Sequence, residues 1–140
     1  MRELSDARFG HLFATPLLEH VWADASELNV QLSECILDHE RRHPGTELTN
    51  VGGWHSAAGR LEFCGVAGRR LMQHMSEMVE EATHRLYAQF GASARPLEWI
   101  LSAWANINRK GDFNQMHTVR HGQRSIMSIT GRRTRMRRAR

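Results

Sequence analysis

Residues 120–140 hold eight arginines and no acid, whereas residues 1–119 hold eleven Lys+Arg against fifteen Asp+Glu. The formal charge of +4 therefore conceals a body of −4 joined to a tail of +8. A segment dominated by arginine, serine, threonine and glycine cannot bury enough apolar surface to offset the entropy of ordering it. Any core must come from the first 119 residues. A chain of 140 residues is typically one domain, and 41% hydrophobic with 24% charged residues is an ordinary globular composition.

Clustered arginines neutralise phosphates and release counterions, so such a tail suits nucleic acid or an anionic membrane surface. The plainer reading is a solvated, disordered arm. No apolar stretch approaches the roughly 18 residues that a membrane span needs, and the opening MRELSDARFG carries acids where a secretory signal carries an apolar run. Cys35 and Cys64 form no CxxC and leave no second pair for a metal site or disulfide framework. These features predict a protein of the reducing cytoplasm, not attached to a membrane.

Leu12–Asp24 contains Pro16 among bulky residues and reads as an extended edge segment. Asp24 then stands where a helix N-cap belongs, with Glu27 in the capping-box position. Leu28, Leu32, Cys35, Ile36 and His39 follow at helical spacing, and Pro44-Gly45 ends the helix. Residues 49–60, TNVGGWHSAAGR, keep no period and read as a loop.

Val66–Phe90 returns to helical spacing, with Leu71, Met75, Met78, Ala82, Leu86 and Phe90 in one stripe and Gly91 as its stop. Such a methionine-bearing stripe is far more often core than a cofactor box. Pro96–Asn108, PLEWILSAWANIN, alternates Trp99, Leu101, Ala103, Ala105 and Ile107 with Ile100, Ser102, Trp104 and Asn106, which predicts a strand covered on both faces. Arg109-Lys110-Gly111-Asp112 is the turn that follows.

Two stretches, NVGGWHS at 50–56 and AWANINRKGDFNQMHT at 103–118, resemble a family of 2-oxoglutarate- and Fe(II)-dependent oxygenases. The resemblance runs in order from about Leu12 to Thr118. It implies an α+β fold, with N-terminal helices packed on a double-stranded β-helix of the jelly-roll or cupin type. It also implies a cofactor set: a histidine, a second ligand two positions later and a distal histidine hold Fe(II), leaving positions for 2-oxoglutarate and dioxygen. The implied reaction decarboxylates 2-oxoglutarate to succinate and hydroxylates a substrate.

His117 falls on the first metal-ligand position. Asn106, Asn108 and Asn114 flank it and are candidates for holding the cosubstrate or substrate, with turn and edge hydrogen bonding as their plainer role. His55 is a candidate neighbour of the metal pocket or a loop-packing residue, and His39, His74 and His84 read as surface or boundary residues. Neither the substrate nor its chemical class is legible.

Beyond Thr118 the family pattern stops. Val119 replaces the second ligand and has no donor atom, and His117 with His121 at i, i+4 would lie well apart on a strand. A jelly roll takes about eight strands of five or six residues, so the 21 residues after Val119 cannot complete it. The expectation is residues 1–118 as the N-terminal part of an oxygenase-like domain, the later half of the barrel missing, and 119–140 as a basic, disordered tail.

Translation in a shifted frame accounts for the break. Degenerate codons chosen for Arg124–Gly131 also read, from the last base of the first, as Leu-Tyr-Tyr-Val-Asp-Tyr-Gly, which resembles the family's next strand. The expected protein is thus an inactive oxygenase fragment; the alternatives are a small nucleic-acid-binding protein using the tail, or a fragment that completes its sheet with another copy or chain through an uncovered edge.

Overall fold

The computed structural model describes residues 4, 6–12, 15–91 and 100–116. His117, the start of the expected strand at Pro96–Trp99, and the tail at 119–140 lie outside the described residues. The architecture is α+β. In chain order the described residues form β1 (Arg8–Leu12), β2 (Thr15–Glu19), α1 (Ala25–Arg42), β3 (Asn50–Val51), β4 (Trp54–His55), a 3-10 turn at Glu62–Cys64, α2 (Gly65–Gln89), β5 (Asn106–Ile107) and β6 (Phe113–Asn114). The strands pair antiparallel as β1 with β2, β3 with β6 and β4 with β5. No helix of the described residues is long and apolar enough to cross a membrane.

The extended segment predicted from Pro16 is the second strand of a hairpin, in register from Arg8 opposite Glu19 to Leu12 opposite Thr15. Both strands of a two-stranded hairpin are edges, so the missing amide of Pro16 is tolerated there.

Helix α1 starts after Asp24 as its spacing predicts, but the Asp24 side chain makes no capping hydrogen bond. Its carboxylate meets Arg70 and His74 of α2 instead. Only the Asp24 carbonyl serves the helix, accepting from the Leu28 amide at 3.0 Å. Cationic partners make stronger hydrogen bonds than a neutral amide does, which explains why the cap is forgone. At the other end Pro44 forces the preceding residue out of the helical region, and His43 is extended at φ −133°, ψ 132°.

Leu28 and Leu32 of α1 are buried against Cys64 and Ala67, with Cys35 and Ile36 half-buried beside them. That packing brings Cys35 and Cys64 to a Cα separation of 5.5 Å, and they form a disulfide. The cysteine count, which offered no disulfide framework, left this single bridge unpredicted. The two cysteines are 29 residues apart in sequence, and only the docking of α1 on the 3-10 turn makes them neighbours.

Helix α2 matches its predicted span to within one residue, but its buried face is turned from the predicted stripe. Ala67, Gly68, Met72 and His74 are buried, whereas Phe90 is 77% exposed. Gly68 explains the rotation: a Cβ there would collide with the Leu61 carbonyl, so the helix approaches the preceding turn through its glycine. Leu71 and Met75 still pack against the core, and Met78 lies against a separate cluster of Leu4, Ala7 and Trp22. Arg85 fastens that cluster, donating to the carbonyls of Ala7 at 2.8 Å and Leu4 at 3.1 Å.

Residues 49–60, predicted to be loop, contain β3 and β4. The two-residue strands are too short to show a period, so pairing alone defines them. Downstream, the predicted alternation holds: Leu101, Ala103 and Ala105 are buried in the main core with Trp54, Leu61 and Met72. The expected cover on the second face is absent at Ile100, which is 54% exposed. Regular pairing is confined to Asn106–Ile107, with isolated bridges joining Ala103 to Gly59 and Arg60.

Candidate functional site

The two stretches that carry the oxygenase resemblance lie against each other. Asn50 pairs with Asn114, Val51 with Phe113, Trp54 with Ile107 and His55 with Asn106. The pairing continues beyond the strands, where the Ser56 amide donates to the Ala105 carbonyl at 2.9 Å and the Ala105 amide donates to the Ser56 hydroxyl oxygen at 2.9 Å. The register advances by only three residues from Val51 to Trp54 but by six between their partners, so Asn108–Asp112 must bulge out opposite Gly52-Gly53.

Three residues of NVGGWHS, Asn50, Trp54 and His55, have structural tasks here. The Asn50 side chain closes the turn, donating to the Gly53 carbonyl at 2.7 Å and accepting from the Leu48 amide at 2.9 Å. Trp54 donates its indole N–H to the His43 carbonyl at 2.9 Å, holding the ribbon to the end of α1. His55 is buried, and its Nδ1 lies 2.5 Å from the Ser56 carbonyl oxygen, which fixes the proton on Nδ1.

Beside this ribbon is a cleft of about 430 Å³ lined by residues including Glu40, Thr46, Asn50, Trp54, His55 and Arg109. Its rim carries a two-pronged ion pair, Arg109 Nη1 to Glu40 Oε1 at 2.7 Å and Nη2 to Oε2 at 2.9 Å. The Glu40 hydrogen bond and charge hold the Arg109 guanidinium above its ordinary pKa. The turn itself is tightened by Asp112, whose carboxylate accepts from the Arg109 amide at 2.7 Å. Single-sequence reasoning missed Glu40 and Arg109, since nothing links a charge on a helix with one in a turn 69 residues later.

The histidines separate into different environments. His39 stacks on Phe63 at 3.9 Å, and burial together with the His43 charge lowers its pKa. His84 is exposed, as expected. His74, expected at the surface or boundary, is buried: it stacks on Trp22 at 3.9 Å and bonds to Asp24 at 3.1 Å. Trp22 in turn meets His20 edge-on, and His20 faces Asp6 at 3.3 Å.

Burial pushes the Asp24 carboxyl upward, but the His74 hydrogen bond and the charges of His74 and Arg70 outweigh it and hold the group below its ordinary pKa. A carboxylate with a depressed folded pKa stabilises the fold above its unfolded value and loses that contribution as pH falls through the folded value. The melting temperature of the wild-type chain should therefore fall as pH drops through 3.8, where the unfolded carboxylate is half protonated and the folded one still mostly charged. An Asp24→Asn chain, less stable at neutral pH, should show a smaller acid-induced fall; equal falls in the two proteins refute the assignment.

The three candidate asparagines do not converge. Asn106 lies in β5 opposite His55, with its Oδ1 buried and without a hydrogen-bond partner among the described residues. Asn108 is exposed with its Oδ1 against Gly53, and Asn114 is exposed in β6 at the far end of the ribbon. Among the described residues no three His, Cys, Asp or Glu side chains are placed to hold a metal ion. The candidate ligand His117 lies outside them, and Val119 offers no donor.

No protein-family model matches the chain, and no curated protein or solved structure shows significant similarity to it.

Proposed function

We propose that the chain carries the N-terminal part of a 2-oxoglutarate- and Fe(II)-dependent oxygenase domain, its ribbons being the first strands of a double-stranded β-helix, and that it does not assemble a working iron centre. One observation carries this reading. The two motifs that resemble the family are about fifty residues apart, yet they pair strand against strand and bury one shared core. Motifs assembled into one unit are what a single ancestral domain requires.

The exposed apolar side chains at one end of the ribbon support the same view. Val51 and Phe113 face each other across β3 and β6 and are 38% and 53% exposed, with Leu48 at 65% close by in sequence. Further strands of a barrel would cover such an end. In this reading His117, three residues beyond Asn114 in sequence, would be the first iron ligand of the complete domain, with Asn106, Asn108 and Asn114 as candidate cofactor-binding residues. Val119 in place of the second ligand is what removes the activity.

The test is to sequence the genomic DNA across codons 115–140 and for several hundred bases beyond. The expected result is an extra or missing base near codon 118, whose correction restores a frame encoding Tyr-Tyr-Val-Asp-Tyr-Gly, a later histidine and an arginine. The restored chain should then form succinate from 2-oxoglutarate only when Fe(II) is present, and the 140-residue chain should form none. An unbroken arginine tail with no such frame overturns the proposal. The separation of −4 in the body from +8 in the tail would then favour a nucleic-acid partner, read as salt-sensitive, sequence-indifferent binding of a labelled oligonucleotide.

A further inference from the structure

The disulfide between Cys35 and Cys64 ties α1, which gives Glu40 to the cleft, to the 3-10 turn before α2. Cys35 lies midway along α1 and is half-buried. Cys64 is 7% exposed and is the N-cap residue of α2, a helix of 25 residues whose first turn receives no side-chain capping hydrogen bond. A sulfur at a helix N-terminus is better tolerated as the thiolate than one in an apolar interior, because the unpaired amides and the helix dipole favour negative charge. Burial of Cys64 among Leu28, Leu32 and Ala67 works against that preference, so access, which favours the half-buried Cys35, decides which sulfur an external thiol attacks.

We propose that Cys35 and Cys64 form a reversible redox tether, in which an external thiol attacks the Cys35 sulfur and Cys64 leaves as the thiolate. The reaction balances with a monothiol such as glutathione. Its thiolate forms a bond to Cys35 Sγ, the Cys35–Cys64 bond breaks, and the electron pair stays on Cys64. A second thiolate then attacks the glutathione sulfur of the mixed disulfide, releasing Cys35 as thiolate and glutathione disulfide as product. Two thiols are oxidised and one protein disulfide is reduced; glutathione disulfide drives the same steps backwards.

The tether has a path to the cleft along α1. One turn beyond Cys35, His39 stacks on Phe63, the residue next to Cys64. The following residue, Glu40, holds Arg109, and the His43 carbonyl holds the Trp54 indole. Opening the disulfide removes the covalent link between the middle of α1 and the 3-10 turn, leaving the His39–Phe63 stack, the apolar packing of Leu28 and Leu32 and the two cleft-side contacts to hold the helix. This inference does not depend on the oxygenase reading, since it uses no metal and no missing strand.

The experiment uses the full folded chain equilibrated with glutathione mixtures, quenched with N-ethylmaleimide and weighed intact by mass spectrometry. Wild type should interconvert between a form taking no label and a form taking two, without denaturant. Under limiting reduced glutathione the trapped mixed disulfide should map to Cys35 over Cys64 by about tenfold or more, as expected where access to the attacked sulfur decides. The summed emission of the four tryptophans should shift in step with reduction, and the shift should shrink in a Trp54→Phe chain. Glutathionylation of the Cys64→Ser chain at Cys35, with Cys64 of the Cys35→Ser chain protected, would agree. Because either variant can fail to fold, the wild-type result decides. Two thiols persisting in excess glutathione disulfide, a disulfide that resists reduction until denaturant is added, or a mixed disulfide on Cys64 each overturn the proposal.

Discussion

Replacing Trp54 with alanine is expected to lower the unfolding free energy by about 3–5 kcal/mol, the range for removing a large aromatic from a packed core. Trp54 is 8% exposed and sits in the main cluster with Leu61, Met72, Leu101, Ala103 and Ala105. It also makes the 2.9 Å hydrogen bond to the His43 carbonyl, and His39 meets its ring edge-on at 5.9 Å. The substitution thus removes core packing, opens a cavity and leaves a helix-end carbonyl without its donor.

Urea denaturation followed by far-ultraviolet circular dichroism measures the loss without relying on the deleted fluorophore. Trp54→Phe separates the contributions: it keeps most of the apolar area and loses the hydrogen bond, whose net worth is about 1 kcal/mol. Leu48→Ala is the control, because Leu48 is 65% exposed and a surface substitution of this kind changes stability by less than about 0.5 kcal/mol. A Trp54→Ala loss no larger than that of Leu48→Ala would mean that the ribbon is not docked on α1.

The helices were legible in the sequence because their cause is local. The start after Asp24 and the stop before Pro44 follow from dihedral preferences and from the apolar period, which any neighbour must respect. The rotation of α2 was not legible. It depends on Gly68 lying under the Leu61 carbonyl, a contact formed only when the preceding turn folds back with Leu61 at φ 55°. The disulfide was hidden for the same reason, since 29 residues of spacing specify no distance.

The site divides in the same way. The resemblance pointed to the two stretches that pair, and the alternation of Leu101, Ala103 and Ala105 indicated the face that goes into the core. Periodicity could not detect strands of two residues, so residues 49–60 read as a loop. His74 read as a surface residue because helical position alone cannot reveal a partner such as Asp24, 50 residues earlier. Asn106, Asn108 and Asn114 share a motif but not a location: the bulge at Asn108–Asp112 lies between β5 and β6 and puts them in three different settings.

That bulge makes Gly53 the position where the pairing of the two motifs is most sensitive. A Cβ on Gly53 would sit 2.7 Å from the Ile107 carbonyl oxygen and press into Asn108 Oδ1. Asn108 is an exposed side chain that can swing aside, but the Ile107 carbonyl belongs to the paired strand and can move only with the ribbon. Gly53→Ala is therefore expected to cost about 2–3 kcal/mol, toward the upper end of the range for an overpacked site. The cost should persist in a Gly53→Ala, Asn108→Ala double variant, because removing the flexible neighbour leaves the backbone collision in place. Gly10→Ala is the matched control: it lies on a strand, and a Cβ there would meet nothing within 4 Å. Hydrogen exchange at the amides of Ser56 and Ala105 should quicken in Gly53→Ala and stay unchanged in Gly10→Ala, since those amides bond across the same ribbon. If Gly53→Ala leaves both stability and exchange unchanged, the register of Trp54 opposite Ile107 is wrong, and with it the pairing of motifs on which the oxygenase reading rests.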